Sequence, residues 1–202
     1  DALTGLPNRV LLNDRLAQSI ARARRNDFRV AVLFIDVDRF KQVNDTLGHA
    51  VGDELLKQMT ARLQTCIRAS DTVCRQGGDE FVILLGEVRD AEAVGQVAQR
   101  VLATGESPYL IDGHEIHSTV SVGISVYPDD GDDVDSMIKC ADAAMYSAKE
   151  LGRNNSQFFT RNVNDRLLER FQLEGRMRGA LARNEFFLVY QPKVDLPSGN
   201  IV

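Results

Sequence analysis

Eight consecutive residues, "RVAVLFID" at positions 29–36, constrain the fold more than any other stretch of the chain. Apolar and β-branched residues fill both alternating faces of the run, which is the pattern of a central strand covered on both sides. The strand ends at Asp36, an acid placed where a packed strand opens.

The neighbouring segments supply the cover. Residues 8–25 carry Val10, Leu11, Leu12, Leu16, Ile20 and Ala23 near helical spacing behind the turn "GLPN". Leu47, Val51, Leu55, Met59, Leu63 and Ile67 recur every fourth residue, predicting a helix that ends near Arg68, with Asp45 or Thr46 as its N-cap. "TVCR" and "FVILL" flank "QGGDE" as a β-hairpin whose tip carries Gly77 and Gly78. Val94, Val97, Ala98, Val101 and Leu102 mark another helix, and "PYLIDGHEIHSTVSVGISVY" reads as two strands joined at Asp112-Gly113. Residues 134–151 form a helix stopped by Gly152, and "SQFF" suits a last edge strand. This order implies an α+β fold: a mixed, largely antiparallel sheet with helices on its faces. From Asn162 the character changes to a helix pattern, "LLERFQLEGRMRGALARN", and a strand pattern, "FFLVYQPKVDLPSGNIV", the start of a second domain.

Composition narrows the function. The 202 residues are 44% hydrophobic and 26% charged, enough for one full domain and part of another. A net charge of -5 argues against a broad nucleic-acid-binding face but leaves room for local cations around a phosphorylated ligand. Three cysteines, Cys66, Cys74 and Cys140, lack zinc or disulfide spacing and read as buried thiols of a reducing compartment. The longest apolar run, "VAVLFI", is too short to span a bilayer, and no basic-then-apolar leader opens the chain, so no membrane contact is expected within it. It begins "DALTGLPNR" without methionine and stops at "SGNIV" in mid-pattern, as expected of a segment of a longer protein.

Two acids stand out. Asp36 at a strand end and Asp79 at a hairpin tip converge if their strands are neighbours, giving two hard oxygen ligands suited to Mg²⁺ and a substrate's phosphates. Each alone is equally well explained as an ordinary turn acid. Gly77 and Gly78 allow a ligand close to the backbone, which a tight hairpin also demands by itself.

"RQGGDEF" resembles the signature of the GGDEF diguanylate cyclases, and "DALTGLPNR", "FIDVDRFKQVND", "LGHAVGDELL", "VSVGIS" and "AMYSAKELGRNN" resemble that family's other blocks in its order. The resemblance covers residues 1–160, expected as the GGDEF domain. It implies a fold related to the nucleotidyl cyclase and polymerase palm, and an activity that condenses two GTP into cyclic di-GMP with release of two pyrophosphates. By that resemblance Asp36, Asp79 and the carbonyl of Val37 would hold Mg²⁺, for which Mn²⁺ can substitute, and Glu80 would complete the acidic cluster. Asp79 matches the position usually assigned as the base, and Lys41 the residue that stabilises the transition state. Asn44 and Asp53 match the guanine readers, chemistry that fits because a carboxylate accepts from guanine N1 and N2 hydrogens and an amide serves the other edge.

His49 matches the "GHxxGD" block, four residues before Asp53 on one helix face, with Gly48 and Gly52 leaving room for a base; His114 and His117 carry no such match. Lys149 and Arg153 match the phosphate-binding pair of "AKxxGRN", and a spacing of four places them on one helix face, where cations also suit a helix C-terminus. Arg68 and Asp71 match the RxxD inhibitory product site, with Arg89, Arg100 or a partner chain as sources of a second arginine; the plain alternative is a helix end and a turn. A symmetric product from one-GTP sites implies a C2 homodimer. Residues 161–202 resemble the opening of an EAL phosphodiesterase domain and stop before its acidic motif, so no hydrolysis is expected of them. The whole reads as a cytoplasmic bacterial signalling enzyme. The rival is a GGDEF module that binds GTP or cyclic di-GMP and regulates an attached phosphodiesterase.

Overall fold

A computed structural model of the chain describes residues 1–26, 28–160, 177, 180, 183, 185, 187–198 and 201. The run around residue 30 becomes β1 (Arg29–Val37), the middle strand of a five-stranded sheet ordered β2-β3-β1-β6-β7. Its antiparallel neighbours are β3 (Glu80–Val88) and β6 (Val120–Tyr127). The hairpin strand β2 (Thr72–Gly77) closes one edge, and β7 (Ser156–Phe158) lies parallel to β6 at the other.

Strand alternation sorts β1 into two cores. Ala31, Leu33, Ile35 and Val37 face the core formed with α2 (Phe40–Leu47), α3 (His49–Thr65) and α4 (Ala91–Ala103). Val30, Val32 and Phe34 face the second core, with Leu12, Leu16 and Ile20 of α1 (Arg9–Asn26) and Met137, Ala141 and Met145 of α5 (Val134–Glu150). Extending the alternation puts Asp36 and Asp38 on the α1/α5 face. An Asp133–Ser136 capping box starts α5, and Gly123 of β6 lets it come close. A Cβ at Gly123 would fall 2.0 Å from both Ala141 O and Met145 N.

Three expectations are corrected. The helix predicted around Leu47–Ile67 is two helices, because Gly48 adopts φ 88° between α2 and α3 and serves as the N-cap in place of Asp45 or Thr46, which lie inside α2. The segment read as two strands makes three. β4 (Tyr109–Ile111) and β5 (His114–Ile116) form their own two-stranded sheet, turning at Asp112-Gly113, and β6 joins the main sheet. That small hairpin is held to α3 by Arg62, whose guanidinium stacks 3.6 Å from the Tyr109 ring and donates to Thr104 O and Pro108 O at 2.6 Å each. Third, the strand expected in the tail is not formed by the described residues there: Phe187–Tyr190 are exposed without regular structure, and Val194 and Ile201 make an isolated bridge. A strand needs partners to persist.

The chain divides into two compact units, Asp1–Asn164 and Asp165–Val202. The helix expected within 167–184 falls almost wholly outside the described residues. Among the described residues no helix is long and apolar enough to cross a membrane. Cys66 and Cys74 are buried free thiols and Cys140 is half-buried; burial pushes the Cys74 thiol up to about 11, leaving it unreactive.

Candidate active site

The hairpin tip and the end of β1 meet. Asp36 stands opposite Glu80 of β3 on one side and Ser121 of β6 on the other. The Val37 N–H donates to Asp79 O at 3.2 Å, stitching the tip to the central strand. Gly77 (φ 148°) and Gly78 (φ 54°) make the turn with open space where a side chain would stand. Arg75 fixes it from behind, its guanidinium donating to Gly78 O at 2.7 and 3.0 Å while pairing with Asp1 at 3.1 Å. Asp36, Asp79 and Glu80 are therefore brought together as the sequence predicts.

Charge is crowded there. Burial pushes the Asp36 carboxyl above its ordinary range, Lys149 pulls it back by hydrogen bond and charge, and Asp79 and Asp38 add to the rise. Glu80 is raised by burial first, then by Asp142, Asp36 and Asp79, against Lys149. Lys149 Nζ lies 2.6 Å from Asp36 Oδ2, so the cation expected on a phosphate rests on the acid cluster. The donor set suits a hard divalent cation. Among the described residues no three His, Cys, Asp or Glu side chains group to hold a metal by themselves, and Mg²⁺ ordinarily takes only one or two carboxylates, completing its shell with carbonyl, water and phosphate oxygens.

Lys149 and Arg153 do not share a helix face. α5 ends at Glu150, and Arg153 and Asn154 follow Gly152 in left-handed conformation at φ 63° and 47°. Both cations still reach the end of β1, Lys149 at Asp36 and Arg153 with Nε 4.0 Å from Asp38 Oδ1. Asp38 is the residue that the sequence reading missed. It is 5% exposed, and Ser121 Oγ and Thr119 Oγ1 donate to its two carboxylate oxygens at 2.7 Å each. The available signal was "DVD", two acids on one strand face.

The other expected residues lie on α2 and α3. Lys41 is exposed in the first turn of α2, and His49 and Asp53 are exposed on the first turns of α3. Gly52 makes room for Asn44, a correction to its expected role of making room for a base: a Cβ there would stand 2.0 Å from Asn44 Oδ1 and 3.2 Å from Phe40 Cζ. Gly48 does face open space. Asn44 Oδ1 is buried with no hydrogen-bond partner among the described residues.

Arg68 and Asp71 stand apart, before the start of β2 and at the opposite end of that strand from Gly77. Asp71 Oδ2 accepts from the Arg68 N–H at 3.1 Å, which is the geometry of a turn. Both residues also line a cleft of about 770 Å³ with Ser70, Arg89, Arg100 and Arg22. Arg100 donates from Nε and Nη2 to Cys66 O at 3.1 and 3.0 Å, and Arg89 and Arg22 line the same cleft. Arg22 comes from α1, and no local pattern in the sequence ties it to Arg68.

The family described as "Diguanylate cyclase, GGDEF domain" matches residues 1–155. The chain belongs to the GGDEF family. Among curated proteins this GGDEF chain is 46% identical over 202 residues to the bifunctional diguanylate cyclase/cyclic di-GMP phosphodiesterase MucR of Pseudomonas aeruginosa, covering all of the chain and 29% of MucR. It is 39% identical over 201 residues to the cyclic di-GMP phosphodiesterase NbdA of the same organism, covering 26% of that protein. The chain thus spans under a third of the length of these relatives. Among solved structures, the isolated GGDEF domain of TpbB from P. aeruginosa superposes with a TM-score of 0.81 at 37% identity, over 83% of this chain and 98% of that one.

Proposed function

We propose that this GGDEF domain, residues 1–160, is a diguanylate cyclase that joins two GTP into cyclic di-GMP and releases two pyrophosphates, working as a C2 homodimer in which each protomer presents one GTP. The observation that carries the reading is the register that sets Asp36 against Glu80, with Asp79 tied to Val37 and Lys149 resting on Asp36. Asp36, Asp79 and the Val37 carbonyl would hold Mg²⁺ or Mn²⁺, which when bound neutralises the triphosphate and polarises the α-phosphorus. Lys149 and Arg153 bind the β- and γ-phosphates, and Lys41 meets the negative charge that develops as the 3′-oxygen attacks. Asp79 matches the position of the proton acceptor, and Glu80 completes the acidic cluster beside it, its carboxyl raised by burial and by its acidic neighbours. The Asn44 amide, whose Oδ1 has no hydrogen-bond partner among the described residues, and the Asp53 carboxylate supply the groups that read guanine, with His49 beside the base.

Two further parts belong to the same reading. The cleft beside Arg68 and Asp71 takes cyclic di-GMP as a product brake, with an arginine gripping phosphate or the guanine edge. Residues 161–202 open an EAL domain of a longer GGDEF–EAL protein working in the cytoplasm. A second reading, a GTP- or cyclic di-GMP-binding regulator of that phosphodiesterase, draws on NbdA, whose name carries phosphodiesterase alone. Incubating the purified chain with GTP and Mg²⁺ and separating the products decides between them. Cyclic di-GMP with pyrophosphate supports the cyclase. Nucleotide binding without either product leaves only the regulatory role.

A further inference from the structure

We infer that Asp38 is the positioning residue for the phosphate-binding arm that carries Arg153. The inference rests on the cyclase reading only for what Arg153 binds; the placement of the arm stands on the structure alone.

The arm is an awkward piece of backbone. Arg153 and Asn154 are consecutive non-glycine residues in left-handed conformation, at φ 63° and 47°. L side chains avoid that region, and such residues persist only where their surroundings over-determine them. The end of α5 supplies one hold, the Arg153 N–H donating to Ala148 O at 3.1 Å, and a buried carboxylate, Asp38, supplies the next. Its Oδ2 accepts from the Asn154 N–H at 3.2 Å, and its Oδ1 faces Arg153 Nε at 4.0 Å. The carboxylate is itself held still: Thr119 and Ser121 donate to its oxygens, and its own N–H donates to Thr119 O at 2.9 Å. Asn155 completes the arm, its side-chain amide donating to Ala148 O at 2.8 Å at the end of α5 and its carbonyl accepting from Val122 N at 3.0 Å.

Charge makes Asp38 specific for this task. Its side chain is 3% exposed, whereas that of Arg153 is 48% exposed and free to present its outer nitrogens to an anion. All of the donors around the carboxylate need an acceptor. An asparagine in its place would turn an NH2 toward at least one of them; the hydroxyls of Thr119 and Ser121 can rotate to accept, but the Asn154 N–H cannot. Asp38 therefore serves Arg153 as an aiming post just past the end of β1, two residues beyond Asp36, fixing the phosphate arm relative to the acid cluster.

The test uses the whole 202-residue chain with Asp38→Asn, Asp38→Ala, Arg153→Ala and Asp38→Ala/Arg153→Ala. Amide hydrogen exchange without nucleotide reads the arm directly: residues 153–155 should exchange roughly 10-fold faster in both Asp38 variants while α5 keeps its protection. Calorimetry with a non-hydrolysable GTP analogue and Mg²⁺ reads the consequence. Asp38→Ala and Arg153→Ala should each weaken binding about 10-fold, and the double variant should bind no more weakly than Arg153→Ala. Unchanged exchange at the arm, or losses that multiply in the double variant, would overturn the inference. So would loss of protection across the whole domain in Asp38→Asn, which would make Asp38 a support of the fold at large. Should the unmodified chain bind no nucleotide, the cyclase reading fails by itself, and the exchange result still decides whether Asp38 holds the arm.

Discussion

Replacing Gly123 with alanine tests how closely α5 must lie on the sheet. The added Cβ would stand 2.0 Å from Ala141 O and Met145 N and 2.7 Å from Ala144 C, all backbone atoms that no rotamer change can move. Relief requires α5 to retreat by more than about 1 Å, since carbon and its neighbours settle near 3.5–4.0 Å. Retreat loosens the packing of Met137, Ala141, Ala144, Met145 and Ala148, all buried on that helix. Overpacking of this kind costs about 1–3 kcal/mol, and a backbone collision belongs at the upper end. At roughly 2–4 °C per kcal/mol for a domain of this size, the melting temperature should fall by about 6–12 °C. Retreat also draws Lys149 from its 2.6 Å contact with Asp36, so the affinity for a GTP analogue should fall with it. Gly95 is the matched control: it lies within α4 with nothing within 4 Å of its added Cβ, so Gly95→Ala should stabilise by about 0.5–1 kcal/mol. Thermal denaturation of both variants in one buffer checks the pair. A Gly123→Ala protein that melts with the parent would refute the close approach.

Four other outcomes are expected. Asp79→Asn should lower cyclic di-GMP synthesis at least ~100-fold with a nearly unchanged melt, because a neutral amide lacks the charge that a carboxylate offers a divalent cation and can take no proton; synthesis within a few-fold of the parent would remove the assigned role. GTP should bind better than ATP, and Asp53→Ala should cost GTP about 1–3 kcal/mol in calorimetry, adenine having neither the N1 hydrogen nor the 2-amino group to offer. In progress curves the parent should slow as product accumulates while Arg68→Ala holds its initial rate, and equal slowing would reduce "RASD" to a turn. Asp36 and Glu80 titrate above their ordinary values in the fold, so the native state holds protons that the unfolded chain has released. Their contribution to stability is full at pH below the unfolded values and is lost as pH rises through the folded ones. Thermal melts across that window without divalent cation should show the decline, and Asp36→Asn should lessen it while Glu80, Asp130 and Asp142, raised by burial in the same way, keep the rest.

The apolar patterns carried most of the fold. Alternation in "RVAVLFID" specified a strand buried on both faces, and its odd and even residues do enter different cores. The spacing of Leu47, Val51 and Leu55 ran straight across the break at Gly48, because hydrophobic periodicity registers which face is buried and not where the backbone turns. A spacing of four sets Arg153 at helical distance from Lys149, but α5 has ended at Glu150 before Gly152 turns the chain. Asp38 was overlooked for a different reason: its side-chain partners lie 81, 83 and 116 residues away, and local patterns do not encode contacts at that separation.

The strand at the centre also has a history during synthesis. β1 pairs with β3 and then with β6, so Val37 meets its β6 partner Val120 only after the intervening chain has been made. At ribosomal rates of about 5–20 residues per second, one edge of an apolar strand stays open for on the order of 10 s. An open edge of that kind is a template for pairing with other chains. The acids at the end of β1 are the last part of that edge to gain their neighbours, because Lys149 and Asn154 emerge later still. A nascent chain cut short before β6 would leave that edge open, whereas one cut between β6 and α5 would close the edge yet carry Asp36 and Asp38 without the cation and amide that hold them.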